Sequence, residues 1–249
     1  MIKFLDLYKQ DKKLHKIILK DINKLFKKGD FILGKEVLKF EDNFKTFCKS
    51  KYAISCGNGT DALTIALKSL SLPNNSEVII PAMTYCSTAF AVINAGLTPI
   101  LVDTEFLKPT IDLVDLKKKI NIKTKVILPV HLYGSVANLN GIKKIIKKKD
   151  IYLVDDCAQA HGAYDDSSNT LNKKRIGSTT DISCFSLYPG KNLGAYGDAG
   201  IITTNNKRLY NKIKKIRNLG SDKKFIHDFV GVNSRLDTIQ AIILNKKIK

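Results

Sequence analysis

The chain has 249 residues, of which 44% are hydrophobic, enough for one sizeable globular core or two unequal domains. No apolar run approaches the roughly 20 residues that span a bilayer, and the first residues lack the charged-then-apolar pattern of a secretory signal. These features predict a soluble, cytoplasmic protein without a membrane partner. The five cysteines are far apart and form no C-x-x-C pair, which favours five buried thiols over disulfides or a zinc site.

The formal net charge of +19 at pH 7 raises the question of a nucleic-acid partner. The lysines are spread over helical stretches such as 117–119 and 143–149, and aromatic residues are not interleaved with them as stacking on bases would need. We therefore interpret the lysines as solvated helix faces and predict no nucleic-acid binding. The resulting positive field would still attract an anionic ligand.

Apolar residues at helical spacing predict two helices at 14–26 and 37–47, and strand-like runs then alternate with helical segments. The predicted strands are 52–56, 77–80, 99–103, 125–130, 151–155, 181–186 and 199–204. The predicted helices between and after them are 61–70, 87–95, 113–120, 139–149 and 207–219. This alternation predicts an α/β fold, a three-layer α/β/α sandwich with a seven-stranded, mostly parallel mixed sheet. The gap between 186 and 199 is too short for a helical crossover, so the last strand should be antiparallel.

The end of the chain predicts an amphipathic helix over 234–249, with Leu236, Ile239, Ile243 and Leu244 on its apolar side and no stop signal. We accordingly divide the chain into a large domain, residues 1–235, with an N-terminal helical segment, and residues 236–249. The latter are interpreted as the start of a helix that leads to a smaller C-terminal domain, missing from this chain.

Ligands of open α/β sheets bind beyond the carboxyl ends of the strands, so the segments after the strands are the candidate sites. After the first strand, Gly57 and Gly59 allow a tight turn into a helix whose free amides form an anion site. The alternative is an ordinary helix start capped by Thr60 or Asp61. After the second strand, Tyr85 could present its ring to a flat heterocycle, or be an ordinary core residue.

Two more segments carry ionisable side chains. Asp155 and Asp156 follow the fifth strand and would be costly to bury without a partner; together with His161 they could instead bind a metal, although the spacing matches no familiar closed site. Lys191 lies in a Gly- and Pro-containing turn after the sixth strand, where it could act as a nucleophile or be an ordinary loop lysine. An anion site, an aromatic ring, a buried carboxylate and a lysine together favour pyridoxal phosphate. G-x-G-x-x-G and Walker motifs are absent, which disfavours a dinucleotide or nucleotide-triphosphate site.

From Phe4 to the last residue the chain resembles the DegT/DnrJ/StrS group of sugar aminotransferases. The motifs that carry the resemblance are G-T-D-A-L at 59–63, V-H-L-Y-G at 130–134, D-C-A-Q-A-H-G at 156–162, P-G-K-N-L at 189–193 and G-V-N-S-R-L at 231–236. The resemblance implies the large domain of the fold type I aminotransferases, with pyridoxal 5'-phosphate as cofactor. It also implies a homodimer with shared active sites. Residues 165–174 depart from the group as a longer, more polar loop.

By position, the resemblance assigns a role to each cofactor residue. Lys191 matches the Schiff-base lysine that later carries a proton, and Asp156 matches the carboxylate that keeps the pyridine nitrogen protonated. Gln159 matches the side chain near the ring hydroxyl, and Tyr85 the stacking aromatic. The residues that match the phosphate contacts are Thr60, Asp61 and Ser186, with Asn233 reaching the phosphate of the partner subunit. The predicted substrate-binding residues are His131, Arg235 and Tyr188, and no metal site is predicted.

The implied reaction moves an amino group from an amino acid, by family habit glutamate, to a nucleotide-linked keto sugar. The chain resembles the branch that acts on dTDP-linked 3-keto-6-deoxyhexoses, which implies a product for amino-sugar and cell-surface polysaccharide biosynthesis, such as O-antigen formation. One alternative is a dehydratase of similar fold, whose members carry histidine where this chain has Lys191. Another is a regulatory or inactive protein that binds the same cofactor.

Overall fold

Helices and strands alternate along most of the chain in the computed structural model, which describes residues 4–165, 174–223 and 225–248. The described residues form eight α-helices: α1 (Leu7–Lys28), α2 (Lys35–Cys48), α3 (Gly59–Ser69), α4 (Cys86–Asn94), α5 (Leu113–Lys119), α6 (Leu139–Ile146), α7 (Lys207–Ile216) and α8 (Thr238–Lys247). The main strands are β1 (Tyr52–Cys56), β2 (Glu77–Pro81), β3 (Thr98–Val102), β4 (Thr124–Ile127), β5 (Tyr152–Asp156), β8 (Ile182–Ser186) and β9 (Gly200–Thr204). Two further two-stranded sheets pair β6 (Tyr164–Asp165) with β7 (Lys174–Arg175), and β10 (Ser221–Lys223) with β11 (Ile226–His227).

The seven main strands form one mixed sheet in the order β1-β9-β8-β5-β4-β2-β3. Within this sheet β9 runs antiparallel to both of its neighbours, β1 and β8. The remaining neighbours pair in parallel. The predicted α/β class, the seven strands and the antiparallel last strand are therefore confirmed. The chain between β8 and β9 contains no helix, which is why β9 returns beside β8 in the opposite direction.

Each face of the sheet carries its own apolar core. On the front face, α3, α4 and α7 cover a core that includes Ile65, Val92, Val154 and Ile213. On the back face, α2, α5, α6 and α8 cover a second core. Burial of each fully buried Leu, Ile or Phe side chain contributes roughly 1.5–3 kcal/mol to the free energy of folding. Because side chains alternate along a strand, successive residues of β5 lie on opposite faces.

The starts of two helices differ most from the prediction. Helix α1 begins at Leu7 rather than 14, because the Asp6 side chain accepts a hydrogen bond from the Lys9 amide (3.0 Å) and caps a polar first turn. Helix α8 begins at Thr238 rather than 234. Asp237, directly before it, has extended backbone, and Leu236 is buried in the back-face core without being helical.

Several composition-based expectations can be compared with the structure. Four cysteines are buried, but Cys86 is exposed at the start of α4, so the prediction of five buried thiols is wrong for this residue. The lysines of 117–119 and 143–149 are exposed, as predicted. Within the described ranges, no helix combines the length and apolarity needed to cross a bilayer. Residues 166–173 of the predicted polar loop lie outside the described residues.

Candidate active site

The carboxyl ends of β1, β2, β5 and β8 surround a cavity of about 760 Å³ on the front face, between the N-termini of α3 and α4. The segments that follow parallel strands all lie at the same edge of the sheet, which is why residues far apart in sequence meet here. The predicted site residues that line the cavity are Thr60, Asp61, Tyr85, Asp156, Gln159, Ser186, Tyr188 and Lys191. The predicted residues that do not line it are His131, Asn233 and Arg235.

The Asp156 carboxyl group is held at the end of β5 by two donors. Its Oδ2 accepts a hydrogen bond from Thr88 Oγ1 (2.9 Å), and its Oδ1 accepts one from the Ala158 amide (3.0 Å). Burial raises the pKa of Asp156. The bonds from Ala158 and Thr88 oppose this shift, as does the charge of Lys191. A cationic N–H donor from a ligand would stabilise the carboxylate further.

Lys191 lies in a turn rather than in a helix or strand. The turn is closed by a hydrogen bond from the Lys191 amide to the Tyr188 carbonyl oxygen (2.9 Å). The lysine is half-buried and lines the cavity together with Asp156. Among the described residues no carboxylate forms an ion pair with Lys191, so its amine is available to a ligand in the cavity.

The anion site at the start of α3 is built by Asn58, which caps the helix instead of the predicted Thr60 or Asp61. Asn58 Oδ1 accepts a hydrogen bond from the Asp61 amide (2.8 Å). Gly59 allows the helix start to touch β8, because a Cβ atom at this position would lie 2.7 Å from the Ser186 Cβ atom. This approach places the first turn of α3 and Ser186 on one side of the cavity, where helix amides and two hydroxyls favour an anion.

The side chain of Asp61 does not suit the predicted phosphate contact. Its Oδ2 accepts hydrogen bonds from Ser234 Oγ (2.6 Å) and Asn58 Nδ2 (3.1 Å), and Ser234 Oγ in turn accepts one from the Gly57 amide (2.9 Å). A carboxylate would also repel a phosphate. Asp61 therefore joins the turn before α3 to the chain around Ser234, while Thr60 remains the side chain at the anion site. The Thr60 hydroxyl donates to Ser87 Oγ (2.9 Å).

Aromatic and amide side chains complete the cavity wall. Tyr85 precedes α4 and is 71% exposed, so its ring is accessible to a flat ligand. Tyr188 is also exposed at the cavity. Gln159 Oε1 accepts a hydrogen bond from the Tyr133 amide (2.7 Å), which leaves the Nε2 end as a donor toward a ligand.

His131 is fully buried and cannot contact a substrate in this structure. Its Nε2 atom lies 3.0 Å from Asp155 Oδ2, and its Nδ1 atom accepts a hydrogen bond from the Ala137 amide (3.2 Å). The prediction of a substrate contact is corrected for this residue. The V-H-L-Y-G motif marked it as functional, but strand alternation places its ring on the back face.

Asn233 and Arg235 lie on the segment before α8, outside the cavity of their own chain. Asn233 is exposed and forms an isolated antiparallel bridge with Asn218. Arg235 is half-buried, and its Nη1 atom donates to Asn218 Oδ1 (3.4 Å). A contact from Asn233 to the phosphate of a partner subunit and a substrate contact by Arg235 stay predictions.

The structure adds residues that the sequence analysis missed. Thr88 holds the Asp156 carboxylate, Asn58 caps α3, and Ser234 joins the turn before α3 to the segment before α8. A hydroxyl in the first turn of a helix is common, so Thr88 carries no sequence signal of its own. Asn58 could have been found, because Asn ranks above Thr as a helix N-cap.

Comparison with known proteins identifies the family. The sequence profile of the DegT/DnrJ/EryC1/StrS aminotransferase family matches residues 12–249. The chain belongs to this family. It is 43% identical over 248 residues to the dTDP-3-amino-3,6-dideoxy-alpha-D-galactopyranose transaminase of Aneurinibacillus thermoaerophilus, covering 100% of this chain and 67% of that enzyme.

Solved structures of the family have the same fold. DesV of S. venezuelae, in complex with a ketimine intermediate, superposes with a TM-score of 0.94 at 36% identity, covering 99% of this chain and 65% of that one. NtdA of Bacillus subtilis, with bound cofactor PMP, superposes with a TM-score of 0.90 at 31% identity, covering 99% and 55%. The chain thus spans 55% to 67% of the lengths of these three relatives.

Proposed function

We propose that the protein is a pyridoxal-phosphate-dependent aminotransferase that places an amino group on a nucleotide-linked keto sugar. The observation that supports this most directly is the meeting of Lys191, Asp156 and the N-terminus of α3 around one cavity. These groups come from three separate segments, and neither apolar core needs a lysine, a buried acid and an anion site at the same place.

The cavity suits this cofactor in size and in chemistry. Its volume of about 760 Å³ lies within the range of roughly 300–1,000 Å³ that small-molecule sites occupy. The first turn of α3 and Ser186 would hold the phosphate, and Tyr85 would stack on the ring. The Asp156 carboxyl, which burial makes reluctant to ionise, gains most from a protonated ring nitrogen.

Each residue then has a defined task. Pyridoxal phosphate, when bound, supplies an electron sink that makes the loss of a carbon-bound proton feasible. Lys191 would hold the cofactor through Nζ and would hold the proton that moves during transfer of the amino group. Asp156 would keep a proton on the ring nitrogen, and Thr88 holds the Asp156 carboxyl by a hydrogen bond. Gln159 would donate from Nε2 to the ring oxygen.

We further propose a dTDP-linked 3-keto-6-deoxyhexose as amino acceptor and glutamate as donor, in cell-surface polysaccharide biosynthesis. The 43% identity to a dTDP-amino-sugar transaminase supports the acceptor. We infer a homodimer in which the exposed Asn233 reaches the cofactor phosphate of the partner subunit. Four buried free cysteines fit a reducing compartment, so we infer a cytoplasmic enzyme.

The proposal is tested by incubating the protein with pyridoxal phosphate, glutamate and a panel of keto sugars linked to dTDP, UDP or GDP. We expect an amino sugar, detected by mass spectrometry, and 2-oxoglutarate in equal amount. A matched reaction without glutamate is the control. Cofactor binding without formation of any amino sugar would favour a regulatory protein, and the absence of cofactor binding would overturn the proposal.

A further inference from the structure

His131 and Asp155 form a buried pair on the back face of the sheet, on the opposite side from the cavity. Both side chains are fully buried. The Ala137 amide donates to His131 Nδ1 (3.2 Å), so Nδ1 carries no proton. The proton of a neutral ring is then on Nε2, 3.0 Å from Asp155 Oδ2, to which it donates. The Ala137 backbone amide thus determines which ring nitrogen of His131 is protonated.

Asp155 has hydrogen-bond donors for both of its carboxyl oxygens. Its Oδ1 accepts from Thr180 Oγ1 (2.7 Å), while His131 serves Oδ2. Burial by itself would raise the pKa of Asp155, but the hydrogen bond from His131, followed by the bonds of two hydroxyl groups, lowers it. Asp155 is therefore an ionised carboxylate inside the protein, and it depends on these donors.

A buried cluster of this composition could in principle bind a metal. The ligand atoms of His131, Asp155 and Cys157 lie within 4.8 Å of one another. The His131 imidazole and the Asp155 carboxylate already form a hydrogen bond with each other. Burial raises the pKa of the Cys157 thiol well above its usual range. Within the part of the chain that the structure describes, this cluster is therefore better explained as an internal hydrogen-bonded pair.

The pair is connected to the cavity through the backbone of Asp156. The His131 amide donates to the Asp156 carbonyl oxygen (3.0 Å), and the Asp156 amide donates to the Pro129 carbonyl oxygen (2.9 Å). These two bonds form the parallel bridge between Val130 and Asp156 that extends the pairing of β4 and β5. The N–H and the C=O of Asp156 are thus both bonded to the 129–131 segment, which the His131 ring in turn attaches to Asp155.

We propose that His131 and Asp155 are positioning residues for the cofactor site, which hold the 129–131 segment against β5 and thereby hold the Asp156 carboxyl at the cavity. This inference rests on the proposed function, because Asp156 needs a defined position only if it pairs with a ligand. The two neighbouring acids of β5 then have different roles. Asp156 faces the cavity, and Asp155 holds the end of β5 in place from the back face of the sheet.

The tautomer of His131 gives a test that needs no ligand and no destabilised variant. The chain has four histidines. In ¹⁵N-histidine-labelled apoprotein at pH 7 we expect the His131 ring to be protonated at Nε2 and unprotonated at Nδ1, with its signals assigned by their disappearance in His131→Gln. A His131 ring protonated at Nδ1, or at both nitrogens, would overturn the proposal.

The second test compares two substitutions of His131. In His131→Gln the side-chain amide can still donate to Asp155 from the position of Nε2, whereas in His131→Asn the shorter side chain cannot reach it. We expect the Kd of pyridoxal phosphate, measured by titration of the apoprotein, to rise in His131→Asn by roughly 10- to 100-fold, the range that loss of an outer-shell partner costs at metal sites. We expect His131→Gln to stay close to the original protein. Equal Kd values for both variants and the original protein would show a purely structural role.

If His131→Asn does not fold, Asp155→Asn replaces it, because it removes the charge and one acceptor while His131 stays. A raised Kd in that variant supports the proposal, and an unchanged Kd overturns it. Failure of the proposed function can be distinguished from failure of the positioning role. If the original protein forms amino sugar while the variants bind cofactor as tightly as it does, only the positioning role is lost. If the original protein binds no cofactor, both are lost.

Discussion

Asp155 and Asp156 are adjacent in sequence, yet they lie on opposite faces of the sheet and have opposite environments. On the front face, Asp156 borders the cavity, and burial raises its pKa. On the back face, hydrogen bonds from His131 and two hydroxyls lower the pKa of Asp155 despite its burial. Because side chains alternate along a strand, Asp156 lies at the cavity where it can bind a ligand, while Asp155 lies on the other face where it stabilises the fold.

The largest effect expected on the front face comes from Lys191→Ala. Without the amine there is neither a covalent anchor nor a proton carrier, so transamination should fall about 1,000-fold or more. The bound cofactor should also be removed by gel filtration. Lys118→Ala changes an exposed lysine of α5 and is the matched control. Turnover and cofactor retention like those of the control would remove Lys191 from the mechanism.

The different roles of Asp155 and Asp156 are tested by replacing each of them with asparagine. Asp156→Asn should lower turnover roughly 100-fold, in line with the loss of a preorganised electrostatic contact, without lowering the free energy of unfolding, because it removes a charge that burial disfavours. Asp155→Asn should lower the free energy of unfolding by roughly 1–3 kcal/mol, because it weakens buried hydrogen bonds to a charged group.

Steady-state rates and urea unfolding of both variants provide the measurements. The expected pattern is a large loss of turnover with intact stability for one variant, and a loss of stability with a smaller loss of turnover for the other. If the two variants show the same ratio of turnover loss to stability loss, the division of roles between the faces is wrong.

A smaller effect should appear in the pH dependence of stability. The His161 ring packs against Phe185 of the back-face core (5.4 Å between centroids), and burial, followed by the charge of Lys191, lowers the pKa of His161 to about 4. In the unfolded chain its pKa is about 6.5. Between these values the unfolded state binds the additional proton, so stability decreases as the pH falls from 6.5 toward 4, by roughly 2–3 kcal/mol from this residue.

His161→Phe keeps a planar ring but cannot titrate, so its free energy of unfolding should depend less on pH in this window. Urea unfolding of both proteins at pH 4.5 and pH 7 isolates the contribution, because the other titrating groups are shared. Identical pH dependence in the two proteins would mean that His161 is accessible to water and belongs to neither buried core.

Local sequence patterns determined much of this protein. The alternation of strands and helices predicted the seven-stranded sheet, and the missing crossover helix predicted the antiparallel β9. Lys191, Asp156, Gln159, Tyr85 and Ser186 were predicted as one site, because the carboxyl ends of parallel strands meet at one edge whatever the details of packing. The family motifs then specified which ligand these residues suit.

Only the tertiary structure decided which side chains are available at that edge. Sequence motifs marked both His131 and Asp61 as functional, but both ring nitrogens of His131 are bonded to Asp155 and Ala137, and Oδ2 of Asp61 is bonded to Ser234 and Asn58. The donor from Thr88 to Asp156 joins residues 68 positions apart. Such contacts depend on how elements pack across the sheet, and local propensity and periodicity contain no information about that distance.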